Sequence, residues 1–245
     1  MKELRKRPVF LFADWHNHLF ANYAIDPKVL TPFIPEGIKL DFHNGSCYIS
    51  LVAFQFLNTK VFGFPAFTKR NFDEINLRFY VKRTLSNGSE RSGVVFIKEI
   101  VPSRLIAWVA RTLYGENYVA MDMHHDIKST SNLETKVIYG CGEHGLTNRF
   151  SAVVPPETET DGNDGLESYI TEHYWGYSSF TRDRTVEYEV KHPKWAVQRV
   201  SNYSIDFDFE SLYGTPYRFL SETEPTSVFF CEGSDITVHQ GSTIP

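Results

Sequence analysis

The chain has 245 residues, 42% hydrophobic and 15% aromatic, with 20 Phe, 13 Tyr and a formal net charge of −5. That content can fill a substantial core, and its aromatic weight favours strands over helices. The mild acidity leaves no electrostatic footprint for nucleic acid or for an anionic membrane.

Lys2-Glu3-Leu4-Arg5-Lys6-Arg7 reads as a solvated basic tail. The apolar run after it, Val9 to Phe12, is too short for a signal peptide or a membrane span. Asp14, His16 and His18 follow at period two, which places all three on one face of an early strand. His-x-His beside a carboxylate is a metal-binding pattern; a polar outer face is the plainer reading. No third and fourth ligand can be named, so no metal is expected. Asp26 caps a short helix opened by Pro27, and Pro32 with Pro35-Glu36-Gly37 closes it.

Ile38 to Phe42, His43-Asn44-Gly45-Ser46 and Cys47 to Leu57 read as a β-hairpin, because Asn-Gly suits a type I′ turn. Phe72-Asp73-Glu74-Ile75-Asn76-Leu77-Arg78-Phe79-Tyr80-Val81 alternates at period two. One face carries Glu74, Asn76, Arg78 and Tyr80, roughly 6.6 Å apart; the other carries Ile75, Leu77, Phe79 and Val81. The polar row either faces water or lines an enclosed pocket. Ser86-Asn87-Gly88-Ser89 turns this strand into a partner from Gly93 to Glu99.

A second helix is capped by Ser103, carries a stripe of Leu105, Ile106, Val109 and Leu113, and stops at Gly115. Arg104 and Arg111 share a side of it, and Arg111 reads as a buried clamp from helix to sheet or as a second anion contact. Strands are expected near Tyr118 to His124, Glu134 to Tyr139, Phe150 to Val154, Thr185 to Lys191 and Ser227 to Cys231. Pro155 to Gly165 reads as a mobile surface loop, and a short helix follows from Leu166 to His173. Glu172 and Tyr174 share a face if the chain is extended there; a helix terminus is the equal alternative. In His192-Pro193-Lys194-Trp195 the tryptophan reads as a core anchor and His192 as a partner for a backbone carbonyl, with a catalytic histidine as the alternative. A domain boundary near residue 155 is one alternative; one continuous β-rich domain over 1–245 is expected instead, since either half alone would carry few strands and open edges.

Cys47, Cys141 and Cys231 are odd in number and far apart, so free buried thiols are expected. Together with the missing span they suggest a cytoplasmic protein. There is no Walker loop, GxGxxG, Gly-x-Ser-x-Gly or HExxH, hence no cofactor motif.

A set of pieces in fixed order carries a family likeness. They are Trp15, Leu19-Phe20, Asn22-Tyr23, Asp26-Pro27 with Leu30, Ile34 to Ile38, Tyr48, Leu51 to Phe54 and Phe72 to Val81. Ala110-Arg111, Leu113-Tyr114-Gly115, Tyr118, Thr171 to Tyr174 and His192 to Trp195 complete it. On these the chain resembles the DUF2071 family, the YqjF-like proteins, a group similar in fold to acetoacetate decarboxylase. The resemblance implies an α+β, mostly antiparallel β fold: a β-barrel with a few short flanking helices and an internal ligand cavity. Short strands, hairpin turns and aromatic alternation fit a barrel or a sandwich independently.

Acetoacetate decarboxylase-like enzymes use a lysine that forms a Schiff base, within a Gly-x-Pro-Lys-Lys pattern. The matching stretch here is Gly115-Glu116-Asn117-Tyr118-Val119-Ala120, with Tyr118 where the lysine would fall. A phenol forms no imine, and neither Lys98 nor Lys128 matches the pattern. The remaining site set is Glu74, Asn76, Arg78, Tyr80, Arg111 and Tyr118. If the row faces the lumen, Arg78 holds a carboxylate and Glu74 is the candidate general acid or base. Otherwise Glu74 and Arg78 form a surface ion pair worth roughly 0–1 kcal/mol. Three functions follow: a barrel binding a small anionic or carbonyl ligand, a non-enzymatic interaction or assembly protein in which an oligomer is possible, and a metal-dependent enzyme on Asp14, His16 and His18.

Overall fold

The computed structural model describes residues 7–66, 69–130, 133–145, 147–156, 165–181 and 184–244. Most of the loop expected over Pro155 to Gly165 lies outside them. The first half holds β1 (Val9–Ile25), β2 (Lys39–Leu40), β3 (Cys47–Val61), β4 (Phe64–Pro65), β5 (Phe72–Thr84) and β6 (Glu90–Val101). β7 (Tyr118–Ala120), β8 (Met123–Ser129), β9 (Thr135–Cys141) and β10 (Asn148–Val154) form the middle. β11 (Trp175–Thr181), β12 (Arg184–Lys191), β13 (Gln198–Arg199), β14 (Asn202–Asp206), β15 (Ser227–His239) and β16 (Ser242–Thr243) complete the strands. The helices are α1 (Pro27–Leu30), α2 (Arg104–Tyr114), α3 (Leu166–Thr171) and α4 (Phe209–Tyr213).

The fold is mostly antiparallel sheet with few helices. A 12-stranded sheet runs β13-β15-β1-β3-β5-β6-β11-β12-β16, with β2, β4 and β7 paired to β5, β3 and β6. β12 also pairs with β15 through Val190↔Val238 and Lys191↔Thr237, so the path of pairings returns on itself. Only the β6–β7 and β6–β11 pairs are parallel among the described strands. A 4-stranded sheet, β14-β10-β9-β8, packs over one face of the larger one.

Period-two sequence sorts side chains between two cores. From β5, Ile75, Leu77, Phe79 and Val81 join Val137, Tyr139 and Phe150 of the smaller sheet. Phe72 and Tyr80, on the opposite face, join Phe20, Val52, Phe54, Trp195 and Phe229. Each such side chain contributes roughly 1.5–3 kcal/mol by leaving water. β5 is therefore buried on both faces, and its polar row faces the interior rather than solvent.

The Asn44-Gly45 turn forms as expected, with positive φ at both residues and paired His43–Ser46 hydrogen bonds. Its first arm does not pair with β3, however. Lys39 and Leu40 lie against Lys82 and Val81 of β5, because both edges of β3 are already taken by β1 and β5. The second hairpin, β5 to β6, closes at Thr84↔Glu90. Asp26 caps α1 by accepting from Lys28 N, and Ser103 caps α2 by accepting from Ile106 N. α2 ends at Gly115 in the left-handed region (φ 69). Cys47, Cys141 and Cys231 are buried and free. No helix among the described residues is long and apolar enough to cross a membrane.

Candidate functional site

The interior face of β5 borders a cavity of about 600 Å³. Glu74, Asn76 and Arg78 form one wall. Strand pairing brings the rest to them: Asn76 is opposite Glu99 of β6, and Glu99 is beside Tyr118 of β7. Tyr188 of β12, His18 of β1, and His173, His192 and Trp195 from the chain around β11 and β12 close the polar end.

One side of that end is acidic. Glu74 Oε1 accepts from Asn76 Nδ2 at 2.9 Å, and Oε2 accepts from the Tyr118 hydroxyl at 3.1 Å. Burial pushes the Glu74 carboxyl up to about 7, against the pull of those two hydrogen bonds and of the Arg78 charge. The Tyr188 hydroxyl donates to Glu116 Oε1. Gly176 makes room for this, since a Cβ there would collide with the Tyr188 ring. Burial raises Glu116 to about 8. Glu99 is raised well above the carboxylate range, first by burial and then by its two acidic neighbours, and its Oε2 has no hydrogen-bond partner. Three buried carboxyls in one chamber cannot all ionise together, so this side holds protons near neutrality.

The other side is cationic and aromatic. The Arg78 guanidinium lies 5.4 Å from the Phe20 ring centroid and 5.8 Å from that of Tyr80. It makes no ion pair among the described residues, and its buried Nε has no hydrogen-bond partner. The surface Glu74–Arg78 pair is thereby excluded. Three histidines surround this charge without adding to it. Burial first, and then Arg78, lowers the pKa of His18 well below the ordinary value. Burial also lowers His173 and His192, with Arg78 acting in the same direction on each. The His18 ring is stacked 4.8 Å from Phe54, and neither of its nitrogens has a partner. His192 stacks at 4.1 Å on the buried Trp195 and shares a hydrogen bond with the Pro193 carbonyl.

Two expected site residues lie elsewhere. The Tyr80 hydroxyl does not reach the cavity: it is 2.6 Å from Ser50 Oγ, which donates in turn to Asn22 Oδ1. Tyr80 is committed to a buried chain of hydrogen bonds, because Ser50 has only one proton to give. Arg111 is exposed and donates from Nε to the Ala107 carbonyl of its own helix. It is neither a buried clamp nor a cavity residue, because it falls on the solvent side of α2. Lys98 lies across the sheet from the cavity, where it donates to the Leu212 carbonyl. Lys128 pairs with Asp126. Lys69, exposed at the mouth, is the lysine that borders the cavity among the described residues.

Asp14, His16 and His18 do not share a face. Asn17 is left-handed (φ 57), and the β1–β3 register slips between His16 and Leu19. Ala13 and Trp15 face the cavity core before this point, and Phe20 after it. His18 therefore points inward, while Asp14 accepts from Asn58 and His16 meets the Glu232 carbonyl. Among the described residues no group of three His, Cys, Asp or Glu is placed to hold a metal ion.

The profile of one family, whose description reads "uncharacterized conserved protein", matches residues 13–235. The chain belongs to the DUF2071 family. A DUF2071 relative, "Uncharacterized protein YqjF" of Bacillus subtilis (strain 168), is 27% identical over 187 residues, or 75% of this chain and 73% of that protein. Among solved structures, acetoacetate decarboxylase from Legionella pneumophila superposes with a TM-score of 0.65 at 12% identity, over 100% of this chain and 91% of that one. The enduracididine biosynthesis enzyme MppR, complexed with pyruvate, gives 0.63 at 13% identity, over 99% and 92%. The fold of this DUF2071 chain is thus acetoacetate decarboxylase-like.

Proposed function

We propose that the cavity binds a small molecule bearing a carboxylate or a polarised carbonyl, and that any turnover is acid–base chemistry without an imine. The pairing of β12 back onto β15 supports reading the large sheet as a barrel with this cavity as its lumen. The observation that carries the proposal is Arg78: a half-buried arginine with a buried, unpartnered Nε, over two aromatic rings, with no carboxylate partner among the described residues. A charge partly withdrawn from water without its counter-charge is unfavourable, and an anionic ligand supplies one in bidentate geometry. Asn76 Oδ1 and Glu99 Oε2 are further buried polar atoms without partners at the same end, and such atoms are rare without a ligand or water.

Glu74 is the general acid or base in this reading. With a pKa near 7 it is part protonated and part ionised at neutral pH, where proton transfer in either direction is efficient. Tyr118 orients it by donating to its Oε2. The pyruvate held by MppR, a fold relative, is a ligand of the class proposed.

Arg78→Met keeps the volume and removes the charge. Binding of pyruvate and acetoacetate, read by melting shift and titration calorimetry, is expected to weaken about 10–100-fold, the loss of a charged hydrogen bond worth roughly 1.5–3 kcal/mol. Borohydride treatment with either compound is expected to leave the protein mass unchanged. Equal binding by wild type and variant, or a trapped lysine adduct, contradicts the proposal.

A further inference from the structure

The polar end occupies only part of the cavity. A water molecule takes about 30 Å³ of liquid volume, so 600 Å³ is far more than a keto acid of about six non-hydrogen atoms can fill. The remaining wall is apolar. Phe54, Phe56, Val94 and Phe96 line its middle, and Leu105, Ile106 and Val109 of α2 line the approach. At the solvent end Phe62 is 55% exposed and Phe64 69% exposed. Large apolar side chains held in water at the mouth of a cavity mark a surface that expects an apolar occupant.

We propose that the ligand is an amphiphile: a monocarboxylate, with or without a keto group, on an apolar chain on the order of ten carbons. Its head is at Arg78, and its chain runs along the Phe54–Phe96 wall to leave between Phe64 and Leu105. This rests on the anion reading of Arg78 and adds the apolar body. A ligand without that body would leave the long wall wet and gain nothing from it.

Titration calorimetry with acetate, butanoate, hexanoate, octanoate and decanoate, each below its micellar concentration, tests it. Wild-type affinity is expected to rise about fourfold per methylene and then level off. Octan-1-ol is expected to bind more weakly than octanoate, and Arg78→Met to weaken every acid by a similar factor. Phe64→Ser and Leu105→Ser, both at exposed positions, are expected to weaken decanoate and leave butanoate unchanged. Affinity independent of chain length, with the Arg78 effect retained, overturns the amphiphile and leaves the anion site standing. A chain-length slope with octanol equal to octanoate and no Arg78 effect overturns the anion site, and the orientation proposed here with it. Failure of all the acids to bind overturns both.

Discussion

Glu116 shows how one burial event sets the behaviour of a residue. Its ordinary carboxyl would ionise well below neutrality, yet in the fold it does so near 8, because desolvation outweighs the hydrogen bond from Tyr188. The sign for stability follows directly. Between the ordinary carboxylate value and about 8 the folded chain holds a proton that the unfolded chain has released, so rising pH favours unfolding. Glu74, at about 7, and Glu99, raised well above its ordinary value, act in the same direction. Below about pH 7 the buried neutral histidines act in the opposite sense, so wild-type melting temperature is expected to fall as pH rises from about 7 to 9. Glu116→Gln removes one share of that fall, and a gain of about 3 °C or more over wild type is expected at pH 9 but not at pH 5. Parallel melting profiles for the two proteins would contradict the buried acid cluster.

At the scale of the element, Asn17 decides what β1 presents. Its left-handed backbone inserts a phase change, so that Trp15 and His18, three residues apart, both face the cavity core. Asparagine tolerates that region, and a β-branched residue does not. Asn17→Val is expected to destabilise by about 1–3 kcal/mol in chemical denaturation. Asn17→Gly is expected to cost less, losing chiefly the 2.8 Å bond from Asn17 to Gln55. The same kind of slip explains which parts of the site were legible in sequence. β5 is itself regular, so its alternation gave Glu74, Asn76 and Arg78 their shared face, and the caps of α1 and α2 were read from Asp26, Ser103 and Gly115. On β6 the register slips, Leu77 pairing with Lys98 but Arg78 with Phe96, so no alternation count places Glu99 in the cavity. Glu116 follows the left-handed Gly115, where no period applies at all. Tyr80 kept the right face but spends its hydroxyl on Ser50, a contact that depends on the β3–β5 register and not on local pattern.

Across the whole molecule, a seam between distant strands of the large sheet is tied by one carboxylate. Glu187 of β12 is buried and meets Arg7 at 2.7 Å, Arg83 of β5 at 2.6 Å and Arg91 of β6 at 3.2 Å. Removing it leaves three guanidiniums facing one another without a counter-charge. Glu187→Ala is expected to cost about 3 kcal/mol in urea unfolding, the low end for a broken buried pair because the arginines keep some exposure. That seam keeps β5 and β12 facing each other, and so holds Arg78 and Tyr188 on walls of one chamber. The most direct test of that chamber's role is a crystal structure of the wild-type protein with decanoate. The expected result is a carboxylate within hydrogen-bond distance of the Arg78 guanidinium, with the chain running past Phe54 and Phe96 toward Phe64. A reversed ligand, or a carboxylate bound away from Arg78, would contradict the account.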